Sequence, residues 1–146
     1  MMSAEGGNVW GDRVPELNRI GIAVADLRRS VEFYRLLGLE LPDDRDLPAD
    51  PAEGHVEATM PNGTRLMFDT EEIILGFLPG WTRINGNQVS LALECASPAE
   101  VDEVYARIVA AGFEGEKEPW DADWGQRYAL LGDPDGVRIN LYAPLA

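Results

Sequence analysis

The sequence predicts an α+β domain of two βαβββ modules whose curved, mixed sheets form a cup. Two observations carry this prediction. First, the order strand, capped helix, glycine stop, acidic stretch and hairpin occurs twice. The helix starts at Leu27 and Pro98 lie 71 residues apart, the stops at Gly38 and Gly112 lie 74 apart, and the hairpin glycines Gly63 and Gly136 lie 73 apart. That spacing exceeds the period of solenoid repeats and indicates a duplicated half-domain. Second, the strands alternate between an aliphatic face and a face of small residues, amides, Arg, Met and Tyr. A solvated face favours Lys, Glu and Thr, whereas a ligand-lining face is an apolar body with a few oriented polar groups.

In chain order, residues 1–15 read as a flexible N-terminal arm that Trp10 pins down. Residues 16–146 form one domain, with modules at 16–69 and 88–144 and a linker at 70–87. Glu16 to Val24 alternates as a strand with Ile20, Ile22 and Val24 on one face. Asp26 is a natural N-cap for a helix over Leu27 to Leu37, where Leu27, Val31 and Tyr34 recur at helical spacing, and Gly38 ends it. Glu40 to Glu53, with Pro42, Pro48 and Pro51, reads as a long acidic loop with a short edge strand at Leu39 to Leu41. His55 to Met60 and Thr64 to Asp69 form a hairpin about Pro61-Asn62-Gly63. The linker carries one helical turn near Glu71 to Leu75. Gln88 to Glu94 is the first strand of the second module. Ser97, Pro98 and Glu100 begin its helix as a capping box, and Gly112 stops it. Glu114, Glu116 and Glu118 then read as a second acidic loop. It leads through Trp120 and Trp124 to strands either side of the turn Asp133-Pro134-Asp135-Gly136.

Composition excludes several function classes. The chain has 146 residues, 45% of them hydrophobic, which suits one domain with a real core. No apolar run approaches the roughly 20 residues that span a bilayer. Met1 to Asp12 lacks the basic start and apolar block of a secretory leader, and the single Cys95 builds no disulfide framework, so a cytoplasmic location is expected. With 12 basic and 26 acidic residues the net charge is −14, which disfavours nucleic acid and anionic membranes and is compatible with a cationic ligand.

Together the two βαβββ units, the run Asp26-Leu27…Phe33-Tyr34…Leu37-Gly38-Leu39 and the run Trp124-Gly125-Gln126-Arg127…Asp133-Pro134-Asp135-Gly136 resemble the vicinal oxygen chelate superfamily. That group holds glyoxalase I, extradiol dioxygenases and the bleomycin- and mitomycin-resistance proteins. The similarity covers Leu17 to Pro144. It is specific for fold and weak for function, because one fold hosts many activities.

The resemblance implies four metal-ligand positions, falling here on Arg19, Met67, Gln88 and Asn140. Arg does not ligate, Met offers a soft thioether, an Asn amide is weak, and only Gln88 is a credible ligand. The expectation is therefore no metal, no cofactor and no catalytic set. The resemblance points to the metal-free antibiotic-binding resistance proteins, and so to a homodimer that holds a planar or cationic small molecule and would sequester a drug. Arg19, Met67, Gln88, Trp120, Trp124, Tyr128, Asn140 and Tyr142 would line the site, with the aromatic residues stacking on the ligand. Two alternatives stay open. One is a lyase, isomerase or dioxygenase with a shifted metal site at His55 and Glu57, or with metal-free acid–base work by Tyr128 or Glu57. The other is an interaction domain whose tryptophans are buried in a subunit interface.

Overall fold

A computed structural model describes residues 15–84 and 88–146 of the chain. The first sheet has order β1-β3-β2, from β1 (Arg19–Val24), β2 (His55–Thr59) and β3 (Arg65–Thr70). The second has order β4-β7-β6-β5, from β4 (Ser90–Glu94), β5 (Glu114–Asp121), β6 (Gln126–Gly132) and β7 (Arg138–Pro144). Each sheet is mixed: β1 runs parallel to β3 and β4 parallel to β7, while the hairpin pairs are antiparallel. Helix α1 (Leu27–Leu36) follows β1, α2 (Glu71–Phe77) follows β3, and α3 (Pro98–Ala110) follows β4.

The duplicated helices form for the local reasons the sequence contains. Asp26 Oδ1 accepts from the Arg29 amide at 3.2 Å, and Ser97 Oγ accepts from the Glu100 amide at 3.2 Å. Each satisfies one of the donors a helix start leaves orphaned. Glu100 reaches back to the Ala96 amide at 2.7 Å. Both helices end in the same glycine motif. Gly38 and Gly112 have φ of +105° and +94°, and the following amides, Leu39 and Phe113, close onto Tyr34 and Ile108 carbonyls.

The helices lie on one side of the sheets and contact each other. Phe33 meets Phe113 edge-on at 5.2 Å, and the Arg29 guanidinium lies 4.0 Å from the Phe113 ring centre. The core beneath them holds Val24, Val31, Phe33, Tyr34, Phe68, Ile108, Ile139 and Leu141, all essentially inaccessible. Each large member is worth about 2–3 kcal/mol relative to exposure. Odd-numbered residues of β1 and β3 and even-numbered residues of β4 and β7 therefore face away from the helices, on the opposite side.

Four sequence expectations change here. No strand forms at 39–41. Pro42 has no N–H to give a ladder, and the Arg35 guanidinium ties this stretch to α1 through the Pro42 carbonyl and, at 2.7 Å, Asp44. The first module is therefore one strand short of βαβββ among the described residues. Conversely, Glu114 to Asp121 is the edge strand β5 rather than an acidic loop. An edge strand tolerates charge on both faces, and its register shifts between Gly115 and Trp120 accommodate Pro119. The helical turn in the linker extends to Phe77, because Thr70 Oγ1 caps it through the Ile73 amide. Finally, the aliphatic side of β4 is thinly covered: Leu91 and Leu93 are half-buried and Val89 is 70% exposed. Residues 1–14, with the arm's Trp10, and linker residues 85–87 lie outside the described part. No helix among the described residues is long and apolar enough to cross a membrane.

Candidate functional site

Residues of β1 in the first sheet and of β4 in the second line a common seam. Two cavities follow this seam, of about 550 and 330 Å³, and Ile20 and Leu91 line both. The turn between β6 and β7 fastens the halves. Asp133 is 5% exposed, accepts from the Tyr34 hydroxyl at 2.7 Å and takes the Asp135 and Val137 amides at 2.8 Å each. Asp135 accepts from the Ala25 amide at 3.0 Å and the Ser30 hydroxyl at 3.3 Å, and pairs with Arg83 at 3.2 Å. Arg83 also holds Glu71 at 2.6 Å. Burial pushes the Asp133 carboxyl above its ordinary pKa, against the pull of these donors. Burial, reinforced by Asp133, raises the Tyr34 phenol, so the pair is a neutral donor on a carboxylate acceptor. In the sequence this tetrapeptide reads as a turn and as part of the run that carries the superfamily resemblance, with no side-chain role assigned to its aspartates. The available signal was its second aspartate, since one suffices for the turn.

On the helix-free face of the second sheet, the β5–β6 hairpin presents an aromatic wall. Its tight turn closes through the Ala122 amide on Gln126 O (2.8 Å), with Gly125 at φ +93°. Cross-strand register sets Trp120 opposite Tyr128 and Tyr128 opposite Tyr142. Tyr128 is the hub: its ring centre lies 5.6 Å from Trp120, 5.3 Å from Trp124 and 6.2 Å from Tyr142, the last pair stacked at 29°. Lys117 sits 4.3 Å over the Trp120 ring. Trp124 donates to Gln126 Oε1 at 3.0 Å yet stays 58% exposed. Arg127 clamps the hairpin to α3, at 3.0 Å from both Asp121 and Asp102.

Asn140 lies behind this wall. Its Nδ2 donates to the Tyr128 hydroxyl at 3.1 Å, with Ser90 Oγ at the outer limit, 3.5 Å. Among the described residues its Oδ1 is buried without a partner. Reversing the amide would only move the vacancy to the nitrogen, so one polar atom of Asn140 is unpaired in either orientation. An unmet buried polar group costs about 1–3 kcal/mol and marks a place where a further partner is favourable.

The corresponding face of the first sheet is charged. Glu57 shares its carboxylate between His55 Nε2 at 2.8 Å and Arg65 at 3.3 Å, and His55 Nδ1 reaches Asp69 at 2.5 Å. Met67 packs into the space that Gly21, lacking a Cβ, leaves open: its Cε is 3.7 Å from where that Cβ would stand. The bonds to Asp69 and then Glu57 raise the His55 pKa, and the bond from His55 lowers that of Glu57. The charged imidazole is thus favoured in the folded state. Its stabilisation is fully present below about pH 6.5 and is lost as pH rises through the higher folded value. Because the side chain is 41% exposed, the effect is small. The melting-temperature difference between the native chain and His55→Gln should therefore narrow between about pH 5 and about pH 9 in thermal melts. A pH-independent difference would refute this assignment.

The sequence-predicted residues thus divide. Trp120, Trp124, Tyr128, Asn140 and Tyr142 come together on the second sheet, and Arg19 and Met67 share the face of the first. Gln88 joins neither group and lines the larger seam cavity with Trp81 and Arg83. The four superfamily ligand positions therefore do not fit a hard dication. They offer a guanidinium, a thioether and two neutral amides, distributed over separate surroundings. Both nitrogens of His55 are engaged by carboxylates, and no three imidazole, carboxylate or thiol groups among the described residues are disposed to hold one ion. Cys95 is buried, and burial and Glu100 push its thiol pKa up to about 11, which leaves it unreactive.

Among curated proteins none matches the chain. Solved structures with the same architecture include a glyoxalase/bleomycin resistance protein/dioxygenase from Nocardioides, 28% identical with a TM-score of 0.68, covering 91% of this chain and 85% of that one. A superfamily member from Sphaerobacter thermophilus DSM 20745 is 25% identical, with a TM-score of 0.61 and coverage of 89% and 98%. A family enzyme from Burkholderia phytofirmans PsJN, at 19% identity, shares the fold with a TM-score of 0.74 over 90% of this chain and all of that one. The family model described as Glyoxalase/Bleomycin resistance protein/Dioxygenase superfamily matches residues 16–141, and with two such mixed sheets under paired helices the chain belongs to that superfamily.

Proposed function

We propose that this protein binds a small planar organic molecule, of the natural-product or antibiotic kind, without a metal and without changing it chemically. The observation that carries the reading is the aromatic wall of Trp120, Trp124, Tyr128 and Tyr142 beside the unpaired amide atom of Asn140. The rings give a flat ligand stacking surface, and Asn140, donating to the Tyr128 hydroxyl, fixes the orientation of the central ring. The donor set at Arg19, Met67, Gln88 and Asn140 supports a metal-independent role, because it lacks the anionic ligands that attract a dication. Assembly as a homodimer belongs to the same reading. The exposed apolar residues Ile84 and Val89, which line the larger seam cavity, and Phe77 at the end of α2 support it, and light scattering of the purified chain would check it.

The test is a titration of tryptophan fluorescence with planar compounds of bleomycin, mitomycin and quinone type, beside thermal melts. At least one class should quench the emission and raise the melting temperature by mass action. Trp124→Ala should weaken that response. A panel that leaves both signals unmoved would defeat the proposal.

A further inference from the structure

The larger seam cavity shares no residue with the aromatic wall, and its own polar groups specify what fits it. At about 550 Å³ it lies within the range of small-molecule sites. Four consecutive residues of β1, Ile20 to Ala23, line it, and β1 ends its sheet. Successive side chains leave opposite faces of a strand, so a cavity that touches all four runs along the strand's outer edge. An edge strand leaves one row of backbone N–H and C=O groups unpaired. The Asn18 carbonyl accepts from the Arg65 amide at 2.9 Å, so the even-numbered residues of β1 turn their backbone groups to β3 and the odd-numbered ones to the seam. The Ala23 carbonyl follows this rule, accepting from the Arg83 guanidinium on the linker at 3.3 Å. Gly21 therefore presents both its N–H and its C=O to the cavity. It is exposed and has no side chain to screen them.

The rest of the lining sets charge and shape. Among the described residues Arg83 and Asp135 are the charged members, and they pair with each other at 3.2 Å. Arg83 also holds Glu71, and Asp135 also takes the Ala25 amide and the Ser30 hydroxyl. Both charges are therefore spent, and an ionic ligand would have to break this pair or enter without a counterion. Gln88 adds a neutral amide, donor and acceptor on one planar group. Ile22, Trp81, Leu91 and Val137, all buried or half-buried, supply apolar walls.

We propose that the seam cavity is a second binding site, for a neutral, mainly aliphatic molecule that carries a carboxamide. The ligand's N–H donates to the Gly21 carbonyl and its C=O accepts from the Gly21 amide, the exchange by which a further strand joins a sheet edge. The second lone pair and second N–H of a primary carboxamide remain for Gln88. A carboxylate has no donor for the Gly21 carbonyl, and an ammonium has no acceptor for its N–H. This site is independent of the aromatic wall, so the failure of either leaves the other standing.

Calorimetric titration of the full chain with cyclohexanecarboxamide, cyclohexanecarboxylic acid and cyclohexylmethylamine tests this, since a puckered aliphatic ring offers the aromatic wall no flat face to stack on. At neutral pH the carboxamide should bind about tenfold more tightly than either charged isostere. In amide proton–nitrogen correlation spectra its addition should move the Gly21 signal. Gln88→Leu should weaken the carboxamide about tenfold, and Gln88→Glu should turn the preference toward the amine. Binding of the acid or the amine as tight as that of the carboxamide, or no binding of all three, overturns the inference. So does a Gly21 signal that stays in place while those of Tyr128 and the tryptophans move, or an unchanged carboxamide affinity in Gln88→Leu.

Discussion

Replacing Asp133 with alanine is expected to remove about 3 kcal/mol or more of folding stability. Among the described residues its carboxylate is the one side-chain acceptor of the Tyr34 hydroxyl, and it takes the amides of Asp135 and Val137. Alanine leaves a fully buried phenol without a partner and releases two turn amides, and each stranded donor costs about 1–3 kcal/mol. Tyr34→Phe removes the hydroxyl together with its demand, so it should cost only about 1 kcal/mol. Urea unfolding at neutral pH separates the two: the Asp133→Ala midpoint should fall much further, with little change in slope. Near-equal midpoints would show that the carboxylate is not what holds the turn.

Tyr128→Ala should weaken binding of the best planar ligand by about tenfold to a hundredfold, the larger value being that of an aromatic hot spot. Three other rings of the wall pack on Tyr128, so its loss frees Trp120, Trp124 and Tyr142 to lean into one another. Tyr128→Phe keeps the ring and loses only the bond from Asn140 Nδ2, for about 1 kcal/mol of affinity. The ring is half-buried and outside the main core, so both variants should fold. Fluorescence titration measures the affinities. Unchanged affinity in Tyr128→Ala would move the ligand elsewhere, with the seam cavity beside Gln88 the first place to look.

What the sequence disclosed and what it hid follow from the range of the interactions. Asp26, Ser97, Gly38 and Gly112 act within four or five residues, so caps and stops were legible and the duplication with them. Strand alternation placed Tyr128, Asn140 and Tyr142 on one face, and the register brings them into contact. Gln88 was assigned to the same lining by homology of position, but it precedes β4 and meets the seam instead. The acids of β5 read as a loop because an edge strand needs no apolar face, and pairing with β6 rather than composition makes it a strand. The ties from Asp133 and Asp135 to Tyr34, Ser30 and Ala25 span about a hundred residues, and the turn's second aspartate is their one local sign.

Those ties also bear on the history of the duplication. Both modules turn their last hairpin on a glycine, Gly63 and Gly136, with left-handed backbone. In the first copy the turn is Pro61-Asn62-Gly63, and Asn62 serves only the local amide of Thr64. In the second, two aspartates of the turn serve residues of the other copy. The modules have therefore ceased to be interchangeable parts. One has become the lock of the other: the second turn holds the two modules together, while the first serves its own hairpin.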